Sequence, residues 1–318
     1  MLDTLIIILI LLLGFLLAAA LSPFEALGWW AGWFGRERED IAQTASPNTV
    51  ISEAKHFVIF LTGIHSVSED TFARREIALL EALRQRLPEA TVLEIFPYSV
   101  DNRALTGQRF FAWFWRLALK LKLSRLTFAG FIINMRNVFQ VAVSADHRYG
   151  PIYNQGTAET MLRALKKHGY LVGSGTPVTL IGYSGGGQVA LGAGKYLKEI
   201  IRAPVRVISL GGIMASDPGL LELDGVYHLL GRHDRVARLG PILFPARLPI
   251  LPYSSWNQGK ASGLIQIIDM GPVDHTGRDG YLDANKILPD GRSAFEQTVD
   301  TIAALIRRPA LTAQAADN

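Results

Sequence analysis

From about residue 55 onward, short runs of β-branched and aromatic residues alternate with longer stretches of helical periodicity, and this alternation leaves few folds open to the chain. The first run, "HFVIFLTG" from His56 to Gly63, ends on glycine as a buried strand does. Behind it, over Glu69 to Leu87, Phe72, Ile77, Leu80, Leu83 and Leu87 recur at helical spacing among charges, and Pro88 stops the pattern. "ATVLEIFPY", Ala90 to Tyr98, predicts another strand. The order then repeats: "PVTLIGYS" as strand, Gly187 to Ile201 as helix, "PVRVISLGG" as strand. The runs "GVYHLLG" and "LIQIIDMG" precede a closing helix from Arg292 to Arg308. Such an order predicts an α/β fold, a mostly parallel sheet with helices on both faces. With 318 residues, 49% of them apolar, the chain can bury one large core of this kind.

Two stretches interrupt the alternation. Arg109 to Phe139 is dense in aromatics and leucine with Arg116, Lys120, Lys122 and Arg125 interspersed. It reads as a buried helix pair covering the sheet or as a basic amphipathic cap on a lipid surface. Leu239 to Gly259 is apolar and proline-rich, which forbids one regular helix and suits a lid or a packed connector.

The N-terminus has a different character. Leu5 to Leu21, "LIIILILLLGFLLAAAL", is long enough to cross the hydrocarbon layer, and Trp29, Trp30 and Trp33 follow at an interfacial distance. A cleaved signal peptide is the alternative, with Ala18 and Ala20 suitably spaced. The absence of Lys or Arg before the run favours a retained single-pass anchor. Arg36 and Arg38 after the run place the body on the cytoplasmic side by the positive-inside rule. The expected organisation is an anchor and aromatic segment over 1–35, a polar tether over 36–54, a folded body over 55–308 with insertions near 109–139 and 239–259, and a tail over 309–318.

The body contains one short pattern with direct chemical meaning. Gly182-Tyr183-Ser184-Gly185-Gly186 places a serine between a strand pattern and a helix pattern, in the form G-x-S-x-G. Small residues two positions to either side allow strand and helix to meet across a tight turn that presents the hydroxyl. A serine hydroxyl is a weak nucleophile, so it needs a base for its proton and donors for the developing oxyanion.

On these residues the chain resembles the α/β-hydrolase superfamily, over about residues 55 to 308. The resemblance implies a serine hydrolase acting on an ester-type bond, with the remaining triad members in the order acid, then histidine. Asp234 in "LLGRHDRV" and His275 in "IIDMGPVDHTGRDGYL" stand at the matching strand ends. Asp217 in "IMASDPG" is the competing acid, one strand earlier; Asp274 and Asp279 are expected to shape the His275 loop. The oxyanion donors implied are the backbone N–H groups of Gly185 and Ile64. Here the loop reads "LTGIHSVS" where the family commonly has His-Gly, and His65 either contacts substrate or braces the loop.

Other chemistries find little support. The net charge of +4 is scattered, which argues against nucleic acid. There is no cysteine, no H-E-x-x-H, and neither nucleotide fingerprint at the strand–helix junction, so no metal or cofactor is expected. The partners expected are a small-molecule or lipid ester substrate and membrane lipids; no pattern specifies an oligomer. The non-enzymatic alternative is an inactive hydrolase-like binding or scaffold module at a membrane.

Overall fold

The computed structural model describes residues 6, 13–14, 16–24, 27–28, 52–65, 73–98 and 127–308. Six strands form one sheet in the order β2-β1-β3-β4-β5-β6, every neighbouring pair parallel. They are β1 (His56–Leu61), β2 (Ala90–Ile95), β3 (Val178–Tyr183), β4 (Val205–Leu210), β5 (Val226–Leu230) and β6 (Ile265–Asp269). The helices are α1 (Arg74–Arg86), α2 (Thr127–Ala145), α3 (Gly150–Lys167), α4 (Gly185–Ile201), the single turn α5 (Gly240–Leu243), α6 (Ser255–Ala261) and α7 (Ala294–Arg307).

β1, β3 and β4 are buried along their whole length, which is why their sequences are mostly apolar instead of alternating. Their side chains point alternately into two cores. Phe57, Ile59 and Leu61 join the layer under α3 and α4, with Tyr153, Met161, Val189 and Leu197. Val58 and Phe60 join the opposite layer, with Leu79, Leu80 and Leu83 of α1 and Val299, Ile302 and Ile306 of α7. The chain steps from β1 outward to β2 and then returns across β1 to β3, so the order reverses between β1 and β3. Loops leaving the carboxyl ends of these two strands therefore face each other, the place where open α/β sheets form their crevices.

The element boundaries refine the sequence reading. The helix after the serine starts at Gly185, two residues early, because the turn is tight enough to continue directly into α4. The closing helix starts at Ala294, because Ser293 caps it: its Oγ accepts the Glu296 N–H at 3.1 Å while Glu296 reaches back to the Ser293 N–H. Segment 239–259 is broken into short turns by its prolines before α6 begins. α3 ends with His168 as its C-cap, and Ala158, Met161, Leu162 and Leu165 form its buried stripe.

Among the described residues no helix is long and apolar enough to cross a membrane, and the expected span is not found among them. Of Leu5–Leu21, positions 6, 13–14 and 16–21 are described, all as helix. Trp29, Trp30, Trp33, Arg36 and Arg38, positions 36–51 of the tether, the insertion up to residue 126 with Arg116, Lys120, Lys122 and Arg125, and the tail 309–318 lie outside the described residues.

Candidate active site

Ser184 occupies the turn between β3 and α4 with φ 53° and ψ −123°, a backbone conformation that an L-residue adopts only under constraint. The surrounding glycines explain how it is held. A Cβ on Gly182 would fall 2.4 Å from the Gly186 carbonyl oxygen, and one on Gly186 would fall 2.5 Å from the Leu61 carbonyl oxygen. Strand and helix thus close to a distance that only glycine permits. The Ser184 N–H donates to the Leu210 carbonyl at 3.0 Å and its carbonyl accepts from Gly187 N–H at 3.0 Å, pinning the turn on both sides.

His275, in the loop beyond β6, reaches this serine. Its Nε2 lies 2.8 Å from Ser184 Oγ, and its Nδ1 lies 2.9 Å and 3.0 Å from the two carboxylate oxygens of Asp234. An ionised carboxylate only accepts, so Nδ1 carries the proton and donates it. Nε2 is then the lone-pair nitrogen, and the serine hydroxyl donates to it.

Asp234 sits in the loop after β5 and is fully buried. Burial alone would raise its carboxyl pKa. The His275 bond and charge, the Ala237 N–H at 2.8 Å and the Tyr281 hydroxyl at 2.7 Å together outweigh that and hold it below the usual carboxylate value. Tyr281 in turn accepts from Gly231 N–H at 2.8 Å, and burial and the neighbouring Asp234 push its own pKa well up, so it remains a donor. Gly211, at φ 59° after β4, clears the space: a Cβ there would meet Asp234 Oδ2 at 2.7 Å.

Tyr183, the residue before the serine, supplies a platform for the histidine. Its ring stacks on His275 with centroids 5.9 Å apart and planes 24° apart, and its hydroxyl donates to the His275 carbonyl at 2.8 Å. Burial raises its pKa to about 12.

The loops after β1 and β3 meet as the sheet order requires. A Cβ on Gly185 would lie 2.7 Å from Ile64 Cγ2, and one on Gly63 would lie 3.4 Å from Ser184 Cβ, so Gly185 and Ile64 are side by side over the serine. The loop is braced by the Asn137 side-chain amide of α2, which donates to the Ile64 carbonyl at 2.7 Å, and by the Tyr98 hydroxyl, which donates to the Thr62 carbonyl at 3.0 Å.

His65 faces another carboxylate. Its Nε2 is 3.3 Å from Glu76 of α1, a buried residue that also accepts the Thr62 hydroxyl on both oxygens at 3.0 Å and the Ala73 N–H at 3.2 Å. A cavity of about 110 Å³ lies here, lined by His65, Arg75, Glu76, Tyr183, Thr276 and Gly277 among others.

Asp217 stands apart from His275 chemistry. Its carboxylate accepts Gly219 N–H at 2.7 Å and caps the short 3₁₀ turn Pro218–Glu222. Asp274 and Asp279 shape the His275 loop: the Asp274 N–H donates to the Asp279 carbonyl at 2.8 Å, and Asp279 takes φ 62° with its own N–H on Asp283. Among the described residues no group of three or more His, Asp or Glu is placed to hold a metal ion.

Tyr183, Tyr281, Gly211, Glu76 and Asn137 are site residues to which the sequence reading gave no role. Two of them had a local signal. Tyr183 occupies a variable position of G-x-S-x-G, and Gly211 opens the glycine pair that ends "PVRVISLGG". Tyr281, Glu76 and Asn137 are brought in only by tertiary packing.

No family model matches the chain, and no curated protein matches it. Among solved structures, the chain is similar to one from Lactobacillus plantarum WCFS1 described as a "putative cell surface hydrolase", with 14% identity and a TM-score of 0.36 over 80% of this chain and 91% of that one.

Proposed function

We propose that the chain is a serine hydrolase of the α/β-hydrolase type that cleaves an ester-type bond through an acyl-enzyme, carried on the membrane by its N-terminal apolar run. The observation that carries this reading is the continuous path Ser184 Oγ, His275 Nε2, His275 Nδ1, Asp234, with contacts of 2.8 and 2.9 Å and a buried acid at its end. Ser184 Oγ attacks the carbonyl carbon as its proton passes to His275 Nε2, and Asp234 stabilises the imidazolium that forms. The carbonyl oxygen becomes an oxyanion facing the N–H groups of Gly185 and Ile64, the arrangement that acyl transfer requires. His275 then gives its proton to the departing alkoxide, leaving an ester on Ser184. Water, deprotonated by the same nitrogen, releases the acid and restores the serine.

A lipid or acyl substrate is supported by the segment that follows the Asp234 loop. Ile242, Leu243, Ile250, Leu251 and Tyr253 are large apolar side chains left exposed there. The body is read as cytoplasmic on the strength of Arg36 and Arg38.

A fluorophosphonate probe tests the reading directly. The full chain labels, and Ser184→Ala abolishes both labelling and ester turnover while leaving thermal unfolding intact. Folded wild-type chain that does not label points instead to the inactive binding module. Across a series of acyl esters kcat/KM rises with chain length, and a strict preference for acetyl esters removes the lipid assignment.

A further inference from the structure

The N-terminal helical segment is two-faced in an unusual way. One face is packed into the body: Ala18, Ala19 and Leu27 are buried in the same core as Tyr98 and Tyr153, and the Gln140 amide of α2 donates to Ser22 Oγ at 3.1 Å. The other face carries Leu13, Leu17, Leu21 and Phe24, spaced four, four and three residues apart and exposed between 41% (Leu21) and 60% (Leu17). The outward face of a helix docked on a water-soluble body is ordinarily polar. Here it holds only large apolar side chains, and no charged residue occurs anywhere from Thr4 to Phe24.

The stripe ends at an interfacial arrangement. Phe24 meets the ring of Tyr149 edge-on at 6.5 Å, in the turn between α2 and α3, and Arg148 beside it is exposed. Aromatic rings with an adjacent basic residue are the groups that settle at the level of lipid headgroups. From Leu13 to Phe24 a helix rises roughly 16 Å, about half the thickness of the hydrocarbon layer. In the sequence the stripe is preceded by Leu5–Leu12, which is apolar at every position.

From this geometry we infer that the face Leu13, Leu17, Leu21 and Phe24, closed by Tyr149 and Arg148, is a bilayer-contacting surface, and that the carboxyl-terminal part of the anchor is fixed to the body through Ala18, Ala19 and Ser22. This rests on the membrane reading above and deepens it: a tether alone would let the body tumble, whereas a docked helix sets its pose. The same helix α2 grips the anchor through Gln140 and, about one turn earlier, the loop over the serine through Asn137. The carboxyl edge of the sheet is thereby held at a set orientation to the lipid surface.

The bilayer is favoured as occupant over a protein partner because the stripe offers no polar group for recognition and is continuous with an apolar run of membrane character. The chain has no cysteine, so single labels report cleanly. An environment-sensitive fluorophore is placed on Leu17→Cys, Leu21→Cys and Tyr149→Cys, with Arg202→Cys at the far edge of the sheet as control, in the full chain reconstituted into phosphatidylcholine vesicles containing phosphatidylglycerol. These side chains are exposed, so folding is not at risk. Brominated acyl chains are expected to quench the first three labels several-fold more than the fourth, and Ser22→Cys, buried against Gln140, is expected to resist maleimide until the chain is unfolded. If the chain floats with vesicles and Leu17→Cys is quenched, but Leu21→Cys and Tyr149→Cys stay open to aqueous iodide and Ser22→Cys reacts readily with maleimide in the folded chain, the anchor stands and the docked pose is overturned. If the chain does not float at all, the membrane reading itself fails. If the labels are shielded from iodide without lipid in a chain that sediments as a dimer, a second copy covers the stripe and the inference is wrong.

Discussion

Tyr183 lies between two histidines, each with a buried carboxylate. His275 stacks on its ring with Asp234 behind, and His65 meets the ring edge-on at 6.4 Å with Glu76 behind. Both acids are shielded from water and both accept donors from their surroundings. What separates them is where the imidazole leads. His275 extends its second nitrogen to the hydroxyl of a serine held on a tight turn, whereas His65 belongs to the loop that crosses over that serine. A histidine against a buried carboxylate is therefore a structural unit, and it acquires a chemical task only through the atom at its open end.

The widest separation between the two pairs is expected from amide substitutions of the acids. Asp234→Asn leaves His275 with a partner that no longer requires the productive tautomer, and a drop in kcat on the order of 10⁴ is expected. Glu76→Gln keeps the brace and is expected to lower kcat by less than about tenfold, since it touches only the loop. Steady-state kinetics on both variants checks this, and equal losses would erase the distinction drawn here. Next in size is Tyr281→Phe, which removes a bond to Asp234 and strands Gly231 N–H, a loss of about 3 kcal/mol. Asp234 has its pKa depressed in the fold, so its stabilisation is present above the ordinary carboxylate value and disappears as pH falls through the folded one. In Tyr281→Phe the folded pKa rises, and the acid-unfolding midpoint measured by circular dichroism should move to higher pH.

The smallest effect concerns a histidine with no carboxylate paired to it. His228 on β5 is buried edge-on to Trp256, and burial, with Arg247 nearby, lowers its pKa to about 3. It stays neutral in the fold while the unfolded chain takes up a proton below about pH 6.5, so stability declines as pH falls from there toward 3. By pH 5 this amounts to about 2 kcal/mol. His228→Leu should flatten that part of the slope, seen as a smaller gap between the melting temperatures at pH 7 and pH 5. An unchanged gap would assign the acid sensitivity elsewhere.

Much of the fold was legible because a parallel sheet buried on both faces leaves a plain signature. "HFVIFL" and "VTLIGY" are apolar at nearly every position, and the helices between them are periodic. The serine turn was legible for a related reason, since the requirement for glycine at 182 and 186 is local and leaves its mark within five residues. Asp234 and His275 came from the order of motifs along the chain, and the distances now attach them to Ser184. Tyr281, Asn137 and Glu76 left no such mark, because a hydroxyl, an amide or a carboxylate in a helix or loop looks the same whether it meets solvent or a buried partner. The run Leu5–Leu21 signals a membrane by composition, but composition is silent on the alanines and serine that pack against α2.

The backbone of Ser184 has a consequence for how such a chain changes over generations. At φ 53° and ψ −123° the serine is strained by an estimated 1–3 kcal/mol, a penalty from which glycine is largely exempt. Any selection for robustness alone would favour replacing it, so a lineage released from turnover should drift to glycine at position 184 early. A hydroxyl there therefore carries a standing penalty in stability that glycine would not incur.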